Sequence, residues 1–319
     1  MRGTPLVSFV ITSHNYERFL GEAIESSLDQ SHPAVETVVV DDGSEDGSRD
    51  VIAAFGDRLT VVLQACRGQA AAFNAGFAVA RGDIVCLLDA DDLAYRDRAA
   101  AAAETFAADP TLGWCFHLLR PIDGEGTDLA PPHTEPTGTV DWRSHARTGR
   151  LDPHLPFPLP ATSGMCLRPW LLERLGPLPE YRGILINDNY LKYAALSLAP
   201  GMALGRELGA QRLHGSNALT TAGEQGGHLA AVDATTAVEL RRRGLTSPRF
   251  TGNLIAWAAE AHRSVPHPAA AAAIEAYLRT SSAPHRGYVA AKRALYRARW
   301  ALRPDRRPGS LPPRVVADR

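Results

Sequence analysis

Much that would classify this chain at sight is missing from it. The 319 residues hold only four cysteines, Cys66, Cys86, Cys115 and Cys166, widely spaced and without a Cys-x-x-Cys pair. Neither a zinc ribbon nor the dense disulfide framework of a small secreted domain fits that usage. Cys86 and Cys115 lie in apolar runs and read as small core residues. No stretch approaches the roughly 18 apolar residues of a membrane span. The run from Leu6 to Ile11 is too short for a signal-peptide core. Charge is balanced as well: the formal net charge is −1, so the molecule as a whole has no bias towards polyanions, and nucleic acid is not an expected partner. No internal repeat occurs. A reduced, cytoplasmic protein is expected.

What is present is an ordinary globular composition, with 45% hydrophobic and 22% charged residues. It carries a regular alternation of strand and helix signals over the first 120 residues. Strands are expected at Leu6–Ile11, Thr37–Val40, Leu59–Leu63, Ile84–Leu88 and Trp114–Leu119. Between them, helical spacing marks Tyr16–Gln30, with Asn15 as its N-cap, then Ser48–Phe55, Gln69–Ala80 and Arg98–Ala108. Nearly continuous apolar strands alternating with helices imply an α/β fold whose mainly parallel sheet is covered on both faces. Such a sheet binds ligands at the carboxyl ends of its strands. Residues 121–160 are rich in Pro, Gly, Thr and His and are expected to form long, substrate-facing loops with one hairpin at most. Trp170–Leu175 and Asn189–Leu198 read as helices. So do His228–Arg243, Pro248–Arg263, Ala269–Thr280 and Tyr288–Leu302. The last dozen residues, rich in Arg and Pro, are expected to be disordered.

Three strands end in polar residues that a parallel sheet would bring to one edge: Thr12-Ser13-His14-Asn15, Asp41-Asp42-Gly43-Ser44 and Asp89-Ala90-Asp91-Asp92. Aspartate favours turns, so one such end is unremarkable. Two acidic ends on one edge are costly, because like charges beside an apolar core repel and are poorly solvated. A divalent cation with a taste for oxygen ligands, Mn2+ or Mg2+, removes that cost. Mg2+ commonly takes one or two carboxylates and completes its shell with substrate phosphates and water. The acidic ends thus suit a metal that in turn holds a diphosphate.

The ordered pattern VSFVITSHNYERFLGEAIESSLDQ, VVVDDGSEDGS and GQAAAFNAGFAVARGDIVCLLDADD resembles the family 2 glycosyltransferases. These have the GT-A fold, a Rossmann-like, mainly parallel sheet with helices on both faces. SGMCLRPWLLERLGPLPE (Ser163–Glu180) resembles that family's acceptor-side segment, Asn187-Asp188 falls at its acidic catalytic motif, and QRLHGSN (Gln211–Asn217) resembles a late Arg-x-His element. The likeness covers roughly the first 220 residues. It implies a nucleotide-sugar-binding half at 1–120, an acceptor-binding half at 121–225 and, outside the likeness, a helical extension at 226–319.

The resemblance also implies roles. Thr12 with its neighbours His14 and Asn15 would contact the nucleoside. Asp42 would accept a hydrogen bond from the base, with Asp41 nearby, and Asn74 would close the nucleoside pocket unless it is an ordinary polar helix residue. Asp89 and Asp91 form a DxD motif that reaches ribose and metal. Asp91 is favoured as the metal ligand and Asp92 is a second candidate. His214 could reach the metal or the diphosphate, with Arg212 as a nearby cation, or could be structural. Asp188 would act as general base on the acceptor hydroxyl while in-line attack inverts the anomeric centre. It could also cap the helix that follows. Relatives often carry Glu-Asp where this chain has Asn187-Asp188, which bears on acceptor choice. The donor is expected to be UDP-linked, and the acceptor a sugar, a lipid-linked molecule or a small molecule.

Two other classes remain open. A sugar-1-phosphate nucleotidyltransferase would carry a Gly-rich basic loop after the first strand, where this chain has Thr12-Ser13-His14-Asn15. A non-catalytic nucleotide-sugar-binding protein would not need Asp89, Asp91 and Asp188. From Ser281 onward ten Lys and Arg face two Asp. That basic helix could pack on its own domain, or lie peripherally on the inner face of a membrane.

Overall fold

The computed structural model describes residues 3–148, 159–181, 188–215 and 225–302. It groups into two compact units: Met1–Trp142 with His154–Glu180 and Leu198–Arg212, and Arg143–Pro153 with Tyr181–Ser197 and Leu213–Arg319.

The first unit is built on a nine-stranded sheet. Its first half alternates as the apolar pattern requires: β1 (Val7–Ser13), α1 (Glu17–Leu28), β2 (Val35–Asp42), α2 (Ser48–Ala54), β3 (Thr60–Gln64), α3 (Gln69–Val79), β4 (Ile84–Asp89), the two-residue β5 (Leu93–Ala94) and α4 (Arg98–Ala108). β6 (Trp114–Ile122), β7 (Gly138–Val140), β8 (Met165–Leu167), the helix α6 (Pro169–Leu175; α5 belongs to the second unit) and β9 (Gly201–Arg212) complete it. The strand order is β3-β2-β1-β4-β8-β6-β9-β5, with β7 paired to β9. β1 is parallel to both β2 and β4, so Thr12 lies beside Asp89, and Ser13 beside Asp41.

All seven residues of β1 are buried, because both faces of the sheet are covered. Val7, Phe9, Ile11 and Val39 join Leu20, Ala23 and Ile24 of α1 in one core cluster. Val10 and Val40 point the other way, against α3, at Gly76. A Cβ on Gly76 would lie 2.5 Å from the Val10 side chain, so only glycine lets helix and sheet come this close. Each fully buried aliphatic or aromatic side chain contributes about 1.5–3 kcal/mol, which is why this half of the fold follows its apolar pattern so directly.

Two expectations need correction, and one strand was not expected. Asn15 does not cap α1. It adopts a left-handed backbone (φ 60°), which asparagine tolerates. Its side-chain oxygen accepts from the Glu45 amide at 2.8 Å. The free amides at the helix start are served instead from the loop after β2, by Ser48 Oγ for Tyr16 at 3.1 Å and Asp46 Oδ2 for Glu17 at 3.0 Å. The fifth expected strand runs on to Ile122, so a division at residue 120 falls inside β6. The 12-residue β9 was not legible. Its GMALGRELGAQR lacks β-branched residues and has weak alternation, and it owes its conformation to pairing with β6 in parallel and with β5 and β7 in antiparallel.

The second unit is helical: α5 (Arg143–Thr148), α7 (Asp188–Leu198), α8 (Gln225–Arg242), α9 (Pro248–Ser264), α10 (Pro268–Arg279) and α11 (Ala283–Leu302). Two prolines sit in first turns, where the missing amide costs nothing: Pro268 opens α10, and Pro284 lies at the second residue of α11. Glu260 of α9 has a fully buried side chain and pairs with Arg263 at 3.0 Å and with Arg293 and Arg297 of α11 at 3.0 and 2.9 Å. Trp300 is buried, with its ring perpendicular to that of Trp257 at 6.4 Å. Part of the basic charge of α11 is therefore committed to packing within its own unit. Among the described residues no helix is long and apolar enough to cross a membrane. Asn187 and the Arg/Pro-rich tail lie outside the described residues.

Candidate active site

The carboxyl ends of β1, β2 and β4 meet at one sheet edge, as the parallel register dictates. Thr12 and Ser13 are buried there, while His14 and Asn15 are exposed. His14 Nδ1 sits 2.8 Å from the Asp42 carbonyl, and the Asn15 amide donates to Ser44 Oγ at 2.9 Å. The loops after β1 and β2 are thus tied to each other.

Asp42 is nearly buried, and its carboxylate serves this chain's own donors. It accepts from Gln64 Nε2 at 2.6 Å and from the Arg67 and Gly68 amides at 2.9 and 2.7 Å. Gly68 has φ 93°, a conformation that lets its amide turn back onto the carboxylate. Asp42 therefore anchors the loop that enters α3, a role that its expected place beside a base did not suggest. Asp41 is fully buried; its Oδ2 accepts from Arg49 Nε at 2.8 Å, and its Oδ1 has no partner among the described residues. The hydroxyl of Ser13, its neighbour in register, is also buried without a partner among the described residues. Two such buried polar atoms on paired strands are costly unless a ligand or solvent serves them.

Asn74, expected to close the nucleoside pocket, holds the chain's own backbone. Its amide pairs in both directions with the Leu178 backbone, accepting from the nitrogen at 2.7 Å and donating to the oxygen at 3.0 Å. With the Arg67–Glu180 ion pair at 2.6 Å, it fastens residues 178–180 to the loop side of α3.

The acidic turn after β4 is the most constrained part of the edge. Asp89 is half-buried and accepts from Gln69 Nε2 at 3.1 Å; Asp91 and Asp92 are buried. The Asp89 amide donates to Ser163 Oγ at 2.9 Å. That same hydroxyl donates to Asp92 Oδ2 at 2.6 Å, while the Arg212 amide donates to Asp92 Oδ1 at 2.8 Å. Burial first, and the neighbouring Asp91 charge second, hold the Asp92 carboxyl above the usual carboxylate range. The negative field extends to Tyr16, whose hydroxyl is raised by burial and then by Asp91, Asp89 and Asp92. Arg212 is not a cation facing open space. Its side chain is 1% exposed and lies over the Phe19 ring at 4.9 Å. It donates to the carbonyls of Asp91 at 2.9 Å and Gly124 at 3.0 Å, and to Glu22 Oε2 at 2.7 Å.

The residues suit a hard divalent cation in one particular way. Among the described residues no three His, Cys, Asp or Glu side chains converge into a ready-made cage. What the edge offers is carboxylate oxygen in a field negative enough to perturb Tyr16. That matches a Mg2+ or Mn2+ ion held by one or two carboxylates and completed by phosphate oxygens. His214 is half-buried, two residues past β9, and belongs to the second unit.

In the second unit Asp188 is the first residue of α7, where a negative charge complements the helix dipole. It pairs with Lys192, one turn on, at 2.8 Å, with side chains 14% and 9% exposed. Asn189 Nδ2 donates to Asp233 Oδ1 of α8 at 2.8 Å. Burial pushes the Asp233 carboxyl up to about 7, against the Asn189 hydrogen bond and the Lys192 charge and with the help of Asp188.

Sequence reasoning brought Thr12, His14, Asn15, Asp41, Asp42, Asp89, Asp91 and Asp92 to one edge, and the structure has them there. It missed Tyr16, Gln69, Ser163 and Asp233, and misread Arg212. Tyr16 follows the quoted Ser-His-Asn, and Ser163 opens the quoted Ser163–Glu180 segment, but nothing in linear order ties Ser163 to Asp89 or Asp92.

Comparison with known proteins agrees with the geometry. The family model described as Glycosyl transferase family 2 matches residues 8–167. An uncharacterized glycosyltransferase of Nostoc sp. is 34% identical over 241 residues, covering 74% of this chain and 70% of that protein. The succinoglycan biosynthesis protein ExoO of Rhizobium meliloti is 42% identical over 97 residues, but this covers only 30% of this chain and 28% of ExoO. In fold, S. aureus TarS in complex with UDP-GlcNAc superposes with a TM-score of 0.63 at 15% identity over 92% of both chains. A mannosyltransferase from Pyrobaculum calidifontis in complex with GDP-Man and Mn2+ gives 0.51 at 24% identity, over 95% of this chain and 82% of the other.

Proposed function

The chain belongs to glycosyl transferase family 2, and from that premise we propose that it moves a sugar from a nucleotide-diphosphate donor, UDP-linked, to a hydroxyl acceptor with inversion at the anomeric carbon. The observation that carries this reading is the register of β1, β2 and β4, which gathers Thr12, Asp41, Asp42, Asp89 and Asp91 on one edge. The orphaned Ser13 hydroxyl and Asp41 oxygen at that edge supply polar atoms that a bound nucleotide or its solvent would satisfy.

Asp91 would hold the cation, with Asp89 beside it, and His214 is a further candidate. When bound, Mn2+ or Mg2+ neutralises charge on the departing nucleoside diphosphate. The remaining work falls to this chain's side chains. The acceptor oxygen bonds to the anomeric carbon as the bond to the diphosphate breaks, and its proton passes to the Asp188 carboxylate. Lys192, pairing with Asp188 at 2.8 Å, orients that carboxylate. Thr12, His14 and Asn15 contact the nucleoside. Asp42 and Asn74 act on it indirectly, by fixing the loop into α3 and the 178–180 segment.

Release of free nucleoside diphosphate from a panel of UDP-, GDP- and TDP-sugars, with Mn2+ or with chelator, tests the reading. Metal-dependent release from one donor is expected, and slow hydrolysis without acceptor suffices. Pyrophosphate formed from a sugar phosphate and a nucleoside triphosphate would overturn it in favour of nucleotidyl transfer. Saturable donor binding with no turnover for any acceptor class would point to a binding protein.

A further inference from the structure

Three adjacent carboxylates end β4, and sequence alone leaves open which of them serve a ligand and which serve the fold. The hydrogen bonds tie one of them, Asp92, to the fold. Both Asp92 oxygens are occupied from within the protein, one by the Ser163 hydroxyl at 2.6 Å and the other by the Arg212 amide at 2.8 Å. Ser163 Oγ is a two-way hub, because it also accepts from the Asp89 amide at 2.9 Å. Arg212 grips the same turn a second time through the Asp91 carbonyl at 2.9 Å. Ser163 and Arg212 come from chain segments 71 to 121 residues downstream of the turn, and both are fully or almost fully buried.

We propose that Asp92 is an internal strut and that Ser163 and Arg212 are positioning residues which, through it, fix the turn carrying Asp89 and Asp91. The inference rests on the proposed donor site and names the residues that shape it. Its physical basis is that a buried carboxylate holding one short hydrogen bond on each oxygen is fixed by the fold and keeps only its remaining lone pairs for a cation. Satisfied partners of this kind orient the neighbouring ligand. Arg212 adds rigidity on the far side: its guanidinium joins the Asp91 carbonyl, the Gly124 carbonyl, Glu22 and the Phe19 face. The backbone on both sides of the Asp91 side chain is thereby held.

The test measures UDP affinity by calorimetry for the full chain, once with Mn2+ and once with chelator, and takes the ratio as the metal-dependent gain. Loss of stability alone does not move that ratio in a protein that is still folded. Asp91→Asn is expected to bring the ratio close to one. Ser163→Ala is expected to keep a gain, reduced about tenfold to a hundredfold, the usual cost of removing an orienting partner. Asp92→Asn, which retains an acceptor for the Arg212 amide, is expected to cost less than Asp91→Asn by at least about tenfold on the same scale. The reverse order, with Asp92→Asn abolishing the gain and Asp91→Asn sparing it, would overturn the strut. A wild-type ratio in Ser163→Ala would overturn the role of Ser163. A wild-type chain whose UDP affinity ignores Mn2+ would overturn the metal reading itself, and the inference with it. The isosteric Asp91/Asp92 pair keeps the question decidable if Ser163→Ala does not fold.

Discussion

Replacing Asp233 by Asn should make the stability of this protein less dependent on pH, in a direction the structure dictates. Asp233 is almost fully buried on α8 and accepts from Asn189 Nδ2 at 2.8 Å. Its carboxyl is raised from an ordinary 3.8 to about 7, by burial above all. Between those two values the native state keeps a proton that the unfolded state has lost. The stabilising effect of that proton is complete below about 3.8 and is lost as pH climbs through about 7. From pH 5 to pH 8 the native carboxyl must ionise in place. At 1.36 kcal/mol per pH unit between 5 and 7, wild type loses about 2–3 kcal/mol from this group alone. Asparagine cannot ionise and still offers a carbonyl to Asn189. The stability difference, variant minus wild type, should therefore grow by about 2–3 kcal/mol from pH 5 to pH 8. Urea unfolding followed by far-UV circular dichroism at pH 5, 6.5 and 8 measures it, because all other titrating groups cancel in the difference. A difference constant within about 0.5 kcal/mol, or one that shrinks with pH, would refute the reasoning: Asp233 would then be ionised throughout, with the Lys192 charge outweighing burial.

Asp188→Asn should lower kcat by about two to four orders of magnitude, the usual worth of a general base, with UDP affinity by calorimetry within about twofold of wild type; retained turnover would exclude Asp188 as the base. The Glu260 carboxyl is lowered to about 2, below an ordinary 4.5, against burial, by hydrogen bonds from Arg297, Arg293 and Arg263. The stabilisation it provides is full above about 4.5 and fades as pH falls towards 2. Glu260→Gln should cost about 2 kcal/mol at pH 7, after discounting for arginines that are 32% to 56% exposed. The cost should be smaller at pH 3.5 and in high salt; equal losses at both pH values would count against the ion-pair account. Gly76→Leu should cost at least about 1–3 kcal/mol by overpacking against Val10 and Val40, read as a lower urea midpoint; a wild-type midpoint would mean that α3 stands further from the sheet.

How much was legible in the linear order follows from where the decisive interactions lie along the chain. Continuous apolar runs bounded by Asp, Gly and Asn marked β1, β2 and β4 because both faces of those strands are buried, so that nearly every residue reports on the core, whereas β3 at the sheet edge leaves Val61 and Leu63 exposed. Parallel pairing then requires their carboxyl ends to share an edge, and the aspartates could be grouped from sequence alone. β9 was not legible, because Gly, Arg and Glu fill a strand whose conformation comes from its neighbours on the sheet.

Amino-acid order by itself determined the layered α/β core, the meeting of Thr12, Asp41, Asp42, Asp89 and Asp91, and the family. All three depend on local periodicity and short spacing. Tertiary structure decided what each polar group does: that Asp42 and Asn74 hold loops, that Arg212 is a buried clasp, and that Ser163 links Asp89 to Asp92. The reason is physical. A carboxylate's task depends on which donors reach its oxygens, and for Asp92 those donors come from chain segments 71 and 120 residues away, a separation that no local pattern encodes.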